Sequence, residues 1–255
     1  MQYFSFLYVI YATILLIKTK KVNMRLDKLL SSLGYGTRKD IEFFARRGYI
    51  KYKGEVCKDA TKKVEHEDVL FDNEPLDPPH GMIIAMNKPK GYICSHEDSG
   101  RLIYSLLPDR FASRNPKLST VGRLDSDTTG LILFTDDGKV NHALTSPKKH
   151  IPKVYEVTLK HPLRGDEQKT FESGTLMLNG EDKPLLPAKM EIITDTLVHL
   201  SIDEGRYHQV RRMFAAVGNR VEELKRIKFG NLELGELKEG EWKYVSIGDV
   251  LGSES

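Results

Sequence analysis

The sequence predicts an α+β protein: a small basic module followed by a larger one on a mixed, mostly antiparallel sheet. Three observations carry this. Leucines recur at helical spacing just after residue 24, a proline-rich polar stretch breaks the chain at residues 72–81, and short apolar or period-two runs follow with few helical stretches between them. At 255 residues the chain can bury a full core and divide into two modules. A hydrophobic fraction of 40% excludes a disordered chain, and a net charge of only +3 does not by itself indicate nucleic acid.

The first 23 residues read differently from the rest. Tyr3 to Ile17 is an almost unbroken apolar run, followed by Lys18, Lys20 and Lys21. It is short for a membrane span of about 20 residues, and it lacks the basic start and small-residue cleavage site of a secretory signal. Met24 is therefore expected to be the true start, with no membrane role. Cys57 and Cys94 form no disulfide framework, and the histidines are scattered, so a cytoplasmic protein without a metal is expected.

Residues 24–71 form the first module. Leu26, Leu29, Leu30 and Leu33 make the apolar stripe of a helix that Gly34 ends. Thr37 is placed as the cap of a second helix, with Asp40 three residues on, Ile41, Phe44 and Ala45 inside, and Gly48 closing it. Tyr49 to Val56 alternates around Lys53-Gly54, the pattern of a short hairpin. Arg25, Lys28, Arg38, Lys39, Arg46 and Arg47 surround these helices; spacing alone allows either a solvated charged face or a surface for RNA phosphates.

Residues 72–81 read as an extended, semi-rigid spacer, and residues 82–255 as the second module. Met82 to Met86, Leu131 to Thr135, Lys153 to Leu159 and Leu197 to Ile202 are strands; in the third, Lys153, Tyr155 and Val157 share a face. A helix follows Glu204, with Val210, Met213, Phe214 and Val217 inward and Gly218 at its end. Between the first two strands lies Val121-Gly122-Arg123-Leu124-Asp125-Ser126-Asp127-Thr128, then Thr129-Gly130. Gly122 and Gly130 allow a sharp turn, which makes Asp125 a candidate reactive acid on a tight loop backed by a strand. Asp127 and Asp136 read as turn formers.

Two resemblances sharpen this. Arg25-Leu26-Asp27-Lys28-Leu29-Leu30, Thr37-Arg38 and Arg46-Arg47-Gly48-Tyr49-Ile50 resemble an S4 domain of the αL type, which implies that the basic residues face structured RNA. The second module resembles the pseudouridine synthases, in the branch that acts on ribosomal small-subunit RNA. Asn87-Lys88-Pro89-Lys90-Gly91, Gly122-Arg123-Leu124-Asp125, Lys153-Val154-Tyr155 and Gly205 to Arg211 carry that resemblance. It implies that Asp125 is the catalytic aspartate, that Arg211 pairs with it, that Tyr155 stacks on the target base and that Leu224 lines the uracil pocket. Arg123 and Lys88 are expected to bind RNA or brace the loop. The implied reaction needs no cofactor. The implied partner is ribosomal RNA, in the form of a small-subunit assembly intermediate, met by a monomer. A sister enzyme acting on large-subunit RNA and a non-catalytic assembly factor remain open alternatives.

Overall fold

The computed structural model describes residues 23–252, and the apolar leader, up to residue 22, lies outside them. The first module packs α1 (Leu26–Ser32) and α2 (Arg38–Arg47) on a four-stranded antiparallel sheet. Its order is β3-β2-β5-β6, with β2 Ile50–Tyr52, β3 Glu55–Val56, β5 Val69–Phe71 and β6 Glu74–Pro75. A separate antiparallel pair joins β1 (Asn23–Arg25) to β4 (Lys63–Glu65). The predicted leucine stripe, with Ile41, Ala45, Ile50, Val64 and Val69, forms the core of this module.

The cap of α2 is the one its spacing predicts. The Thr37 hydroxyl accepts from Asp40 N at 3.3 Å, and the Asp40 carboxylate accepts from Thr37 N at 2.8 Å. Two of the helix's otherwise unpaired first-turn groups are thereby satisfied. Gly48, at φ +83°, closes the helix in the left-handed conformation, and β2 and β3 turn at Lys53-Gly54.

The second module is built on one sheet of nine strands. Seven lie in the order β13-β14-β12-β15-β11-β7-β17: Lys189–Ile192, Leu197–Ile202, Lys153–Leu159, Val221–Phe229, Thr129–Thr135, Ile83–Lys88 and Trp242–Val245. Short β10 (Ser119–Thr120) pairs with β11, and β16 (Leu232–Glu233) with β15. Every pairing is antiparallel except β11 with β15. A small parallel pair, β8 (Tyr92–Ile93) with β9 (Arg101–Leu102), stands apart. The continuous apolar runs of β7 and β11 are buried along nearly their whole length because packed side chains cover both faces of the sheet there. By contrast, β12 alternates, sending Tyr155, Val157 and Leu159 into the larger core cluster.

Four helices flank the sheet: α3 (Gly138–Thr145), α4 (Glu167–Glu172), α5 (Gln209–Ala216) and α6 (Ile247–Leu251). The predicted inner stripe of α5 is buried at Val210, Met213 and Phe214. That helix begins at Gln209, after the run from Glu204, because His208 takes a left-handed conformation at φ +48° and holds residues 204–208 as a loop.

The connector is not a free spacer. Leu76, Asp77 and Pro78 are buried, and β6 already belongs to the first module's sheet. Asp77 accepts from Arg110 Nε and Nη2 and from Tyr244 Oη at 3.1 Å, while its own N–H donates to Tyr35 Oη at 3.1 Å. Arg114 donates to Pro78 O at 2.9 Å and to the Asp136 carboxylate at 2.7 Å. Asp136, expected to be a turn former, is therefore a buried partner of Arg114 that also accepts from Gly81 N at 2.8 Å. Prolines alone suggested stiffness; Asp77, whose carboxylate accepts from Arg110 and Tyr244 after the connector while its N–H donates to Tyr35 before it, makes the connector a packed joint.

Candidate active site

The loop between Val121 and Thr128 is bent by Gly122, at φ +67°, and closed by Gly130, at φ +98°. At Gly130 a Cβ would lie 2.2 Å from Arg226 O, so only glycine lets β11 lie this close to β15. Within the loop, Thr128 N donates to Asp125 O at 3.1 Å, and Gly91 N donates to Ser126 O at 2.7 Å.

Lys88 fixes this loop from beneath. Its ammonium donates to Asp125 O at 3.0 Å, Ser126 O at 3.3 Å, Thr128 O at 2.8 Å and Pro89 O at 3.3 Å. Burial pushes the Lys88 pKa down, against the opposing charges of Cys94, Asp127 and Asp125. Lys88 is fully buried, with its ammonium turned to the carbonyls of this loop. Of the two roles expected for it, this geometry is that of a brace.

Asp125 stands beside a cleft of about 340 Å³. Buried Tyr155, Leu224 and Ile202 line the apolar part of it, and residues 205–211, the end of the loop and the first turn of α5, contribute another wall. In the sheet Tyr155 is paired with Leu200 and Arg226, and Val157 with Leu224. The central strands thus carry both the aromatic ring and the leucine to one place. A compact cleft with an apolar lining and a few polar groups suits a planar base.

Asp125 keeps 39% of its side chain exposed, and its Oδ1 lies 3.4 Å from His208 Nε2. Arg211 goes elsewhere. Its Nη2 is 2.8 Å from Asp127 Oδ2, its Nη1 donates to Val221 O at 3.2 Å, and its buried Nε has no protein partner. The expected Arg211–Asp125 ion pair is absent among the described residues. Two carboxylates two residues apart project from one turn, and the guanidinium takes the outer one. Asp127 is therefore an arginine partner as well as a turn residue.

Arg123 is exposed at the cleft edge. In the first module Lys28, Arg38 and Lys39 are exposed, Arg25 is tied to Asp27 at 2.8 Å, and Arg46 lies 3.8 Å from Glu42. Arg47 packs over the Phe43 ring at 5.2 Å. These cations do not border the Asp125 cleft.

The structure adds residues that the sequence did not single out. His208 faces Asp125, and Tyr207, 72% exposed, stacks on His208 with centroids 3.9 Å apart. Behind them Glu181 binds Arg206 at 3.2 Å and Arg212 at 2.8 Å, while Arg212 also donates to Tyr207 O at 3.1 Å and Asn179 O at 2.6 Å. Gln209 donates to Glu204 Oε1 at 3.1 Å and accepts from Arg206 N at 2.8 Å. Nothing in the sequence connected the Gly205 to Arg211 run to Glu181.

An acid on a braced turn, an apolar cleft and an aromatic floor on a mixed sheet describe an enzyme that handles a single base. Residues 82–216 match the family described as RNA pseudouridylate synthase, and the chain belongs to that family. Its relatives include the ribosomal small subunit pseudouridine synthase A of Pasteurella multocida, 42% identical over 89% of this chain and 98% of that protein. The protein of the same name from Escherichia coli strain K12 is 42% identical over 86% of this chain and 95% of its own. A solved structure titled as a pseudouridylate synthase is similar with a TM-score of 0.63 and 41% identity, over 89% of this chain and 98% of that one.

Proposed function

We infer that this chain converts a specific uridine of small-subunit ribosomal RNA to pseudouridine, with Asp125 as the reacting carboxylate. The observation that carries this reading is Asp125 itself, half exposed beside a cleft floored by Tyr155 and Leu224. The names of the relatives supply the small-subunit substrate. In the reaction the C1′–N1 bond breaks, the uracil turns, and C5 bonds to C1′; C5 then loses its proton and N1 gains one. No electron or group is gained overall. Asp125 either attacks C1′ or takes the 2′ proton as the glycosidic bond opens, and both routes need an ionised, aimed carboxylate. Water must be kept from the opened sugar, which suits a cleft closed by a base stacked on Tyr155.

The N-terminal module fits an S4-type RNA-binding domain, with Lys28, Arg38, Lys39, Arg46 and Arg47 as phosphate contacts. The substrate is then a small-subunit assembly intermediate, in which the target uridine is still accessible, and the enzyme works in the cytoplasm as a monomer. Tritium release from small-subunit rRNA labelled at uracil C5 tests the reaction. Mapping pseudouridine in rRNA from a deletion strain tests the target: a missing site in small-subunit rRNA is expected. A missing site in large-subunit rRNA alone would overturn the assignment.

A further inference from the structure

The basic module presents aromatic rings at its surface. Phe43 is 52% exposed and Tyr49 is 47% exposed. Neither ring hangs free. Both meet Phe44 edge-on, with centroids 5.9 and 6.0 Å away, and Phe44 in turn meets Phe71 at 5.4 Å, packed on the module core. The platform is therefore rigid and half open, an arrangement that leaves apolar surface in water without contributing to the core.

The charge around it narrows what can cover it. Residues 38–53 hold six cations against only Asp40 and Glu42, and Asp40 is committed to the α2 cap. On α2, Lys39, Arg46 and Arg47 lie four, three and four residues from Phe43, so they share its face. The side chain of Arg46 is 78% exposed, and the Arg47 guanidinium lies 5.2 Å from the Phe43 ring centroid. Fixed rings interleaved with cations match a strand of unpaired nucleotides, in which bases stack and phosphates are neutralised in turn. A duplex offers the cations its phosphates but keeps its base faces stacked inside.

We propose that Phe43 and Tyr49 form a stacking platform for unpaired bases of the RNA substrate, with Lys39, Arg46 and Arg47 holding the adjoining phosphates. This rests on reading the N-terminal module as RNA-binding and goes further, because it commits that contact to a single-stranded segment away from the target uridine.

The test uses the full chain, a fluorescently labelled single-stranded RNA, a duplex of the same length, and small-subunit rRNA. Three double variants are compared: Phe43→Leu with Tyr49→Leu, Phe43→Tyr with Tyr49→Phe, and Arg46→Gln with Arg47→Gln. All change exposed positions, and thermal melts check that each is folded. The leucine pair is expected to bind the single strand about tenfold more weakly or worse, with duplex affinity, salt dependence and rRNA turnover at saturation unchanged. The aromatic exchange is expected to bind like wild type. The glutamine pair is expected to flatten the salt dependence on both RNAs. Wild-type affinity in the leucine pair would overturn the platform, and it is the result expected of a surface built for an apolar protein partner. An equal loss on single strand and duplex would overturn it too. Wild-type protein that turns over rRNA separates a failed platform from a failed function; wild-type protein that binds no RNA would remove both readings.

Discussion

Arg211 holds Asp127, not Asp125, with Nη2 2.8 Å from Oδ2, and it is the His208 ring that faces the Asp125 carboxylate, with Nε2 3.4 Å from Oδ1. Asp125, which we propose as the reacting acid, thus has a carboxylate not locked by a guanidinium. Its backbone is fixed by Lys88, while its carboxylate stays open to the cleft. Asp125→Asn keeps this shape and removes the charge. It should lower tritium release roughly 10³-fold or more, leaving RNA affinity and melting temperature near wild type. Residual turnover within tenfold of wild type would refute the assignment.

If Asp127 aims Arg211, its loss should register in turnover and hardly in stability. The pair is half exposed, so Asp127→Asn should cost at most about 1 kcal/mol of folding stability. A misaimed guanidinium should nevertheless reduce kcat by roughly ten- to a hundredfold. Arg211→Leu should lose most turnover, and Arg211→Lys should fail to restore it, because a lysine cannot span Asp127 and Val221 O together. A wild-type kcat in Asp127→Asn, measured in single turnover, would make that ion pair incidental.

How much of this was legible in the sequence depended on the range of the interaction. The Thr37–Asp40 cap and the β11 run depend on near neighbours and could be read directly. The central strand β15 could not. It reads Val-Glu-Glu-Leu-Lys-Arg-Ile-Lys-Phe, and two irregularities in its pairing with β12 break the period-two signal, so Val221, Leu224, Arg226 and Phe229 turn inward at uneven spacing. The acid loop was legible, but the choice of Arg211 between two nearby carboxylates was not. Nor was the burial of Lys88, since a lysine in Asn-Lys-Pro-Lys-Gly looks like a solvated cation until the loop folds over it.

That burial gives Lys88 a measurable role. Lys88→Met keeps most of the apolar stem and removes the donors, leaving the carbonyls of Asp125, Ser126 and Thr128 without that partner. The expected cost is roughly 2–3 kcal/mol by denaturant unfolding, with a further loss of kcat because the Asp125 turn is freed. Unchanged stability would mean that water replaces the ammonium and that the loop holds itself.

Gly130→Ala tests the close approach of β11 to β15. The added methyl would lie 2.2 Å from Arg226 O at a φ of +98°, so both the backbone and the strand pairing are strained. A loss of at least about 2 kcal/mol is expected, together with reduced activity, because Asp125 and Leu224 ride on the two segments forced apart. A melting temperature within a degree of wild type would show that the two strands can separate freely here.

Glu181 tests whether the wall opposite Asp125 is held from behind. Arg212, and after it Arg206, draw the Glu181 carboxyl below the ordinary glutamate range despite its partial desolvation. A lowered carboxyl pKa means that the clamp is complete above the unfolded value of about 4.3 and is lost only as pH falls through the still lower folded value. Across neutral pH the clamp should therefore be pH-independent. Glu181→Gln, which keeps the shape and removes the charge, should lower kcat several-fold with the KM for RNA little changed. It should also speed hydrogen exchange at residues 204–212, whose loop carries His208 toward Asp125. A fall in affinity without a change in kcat or exchange would instead make Glu181 part of the RNA-binding surface.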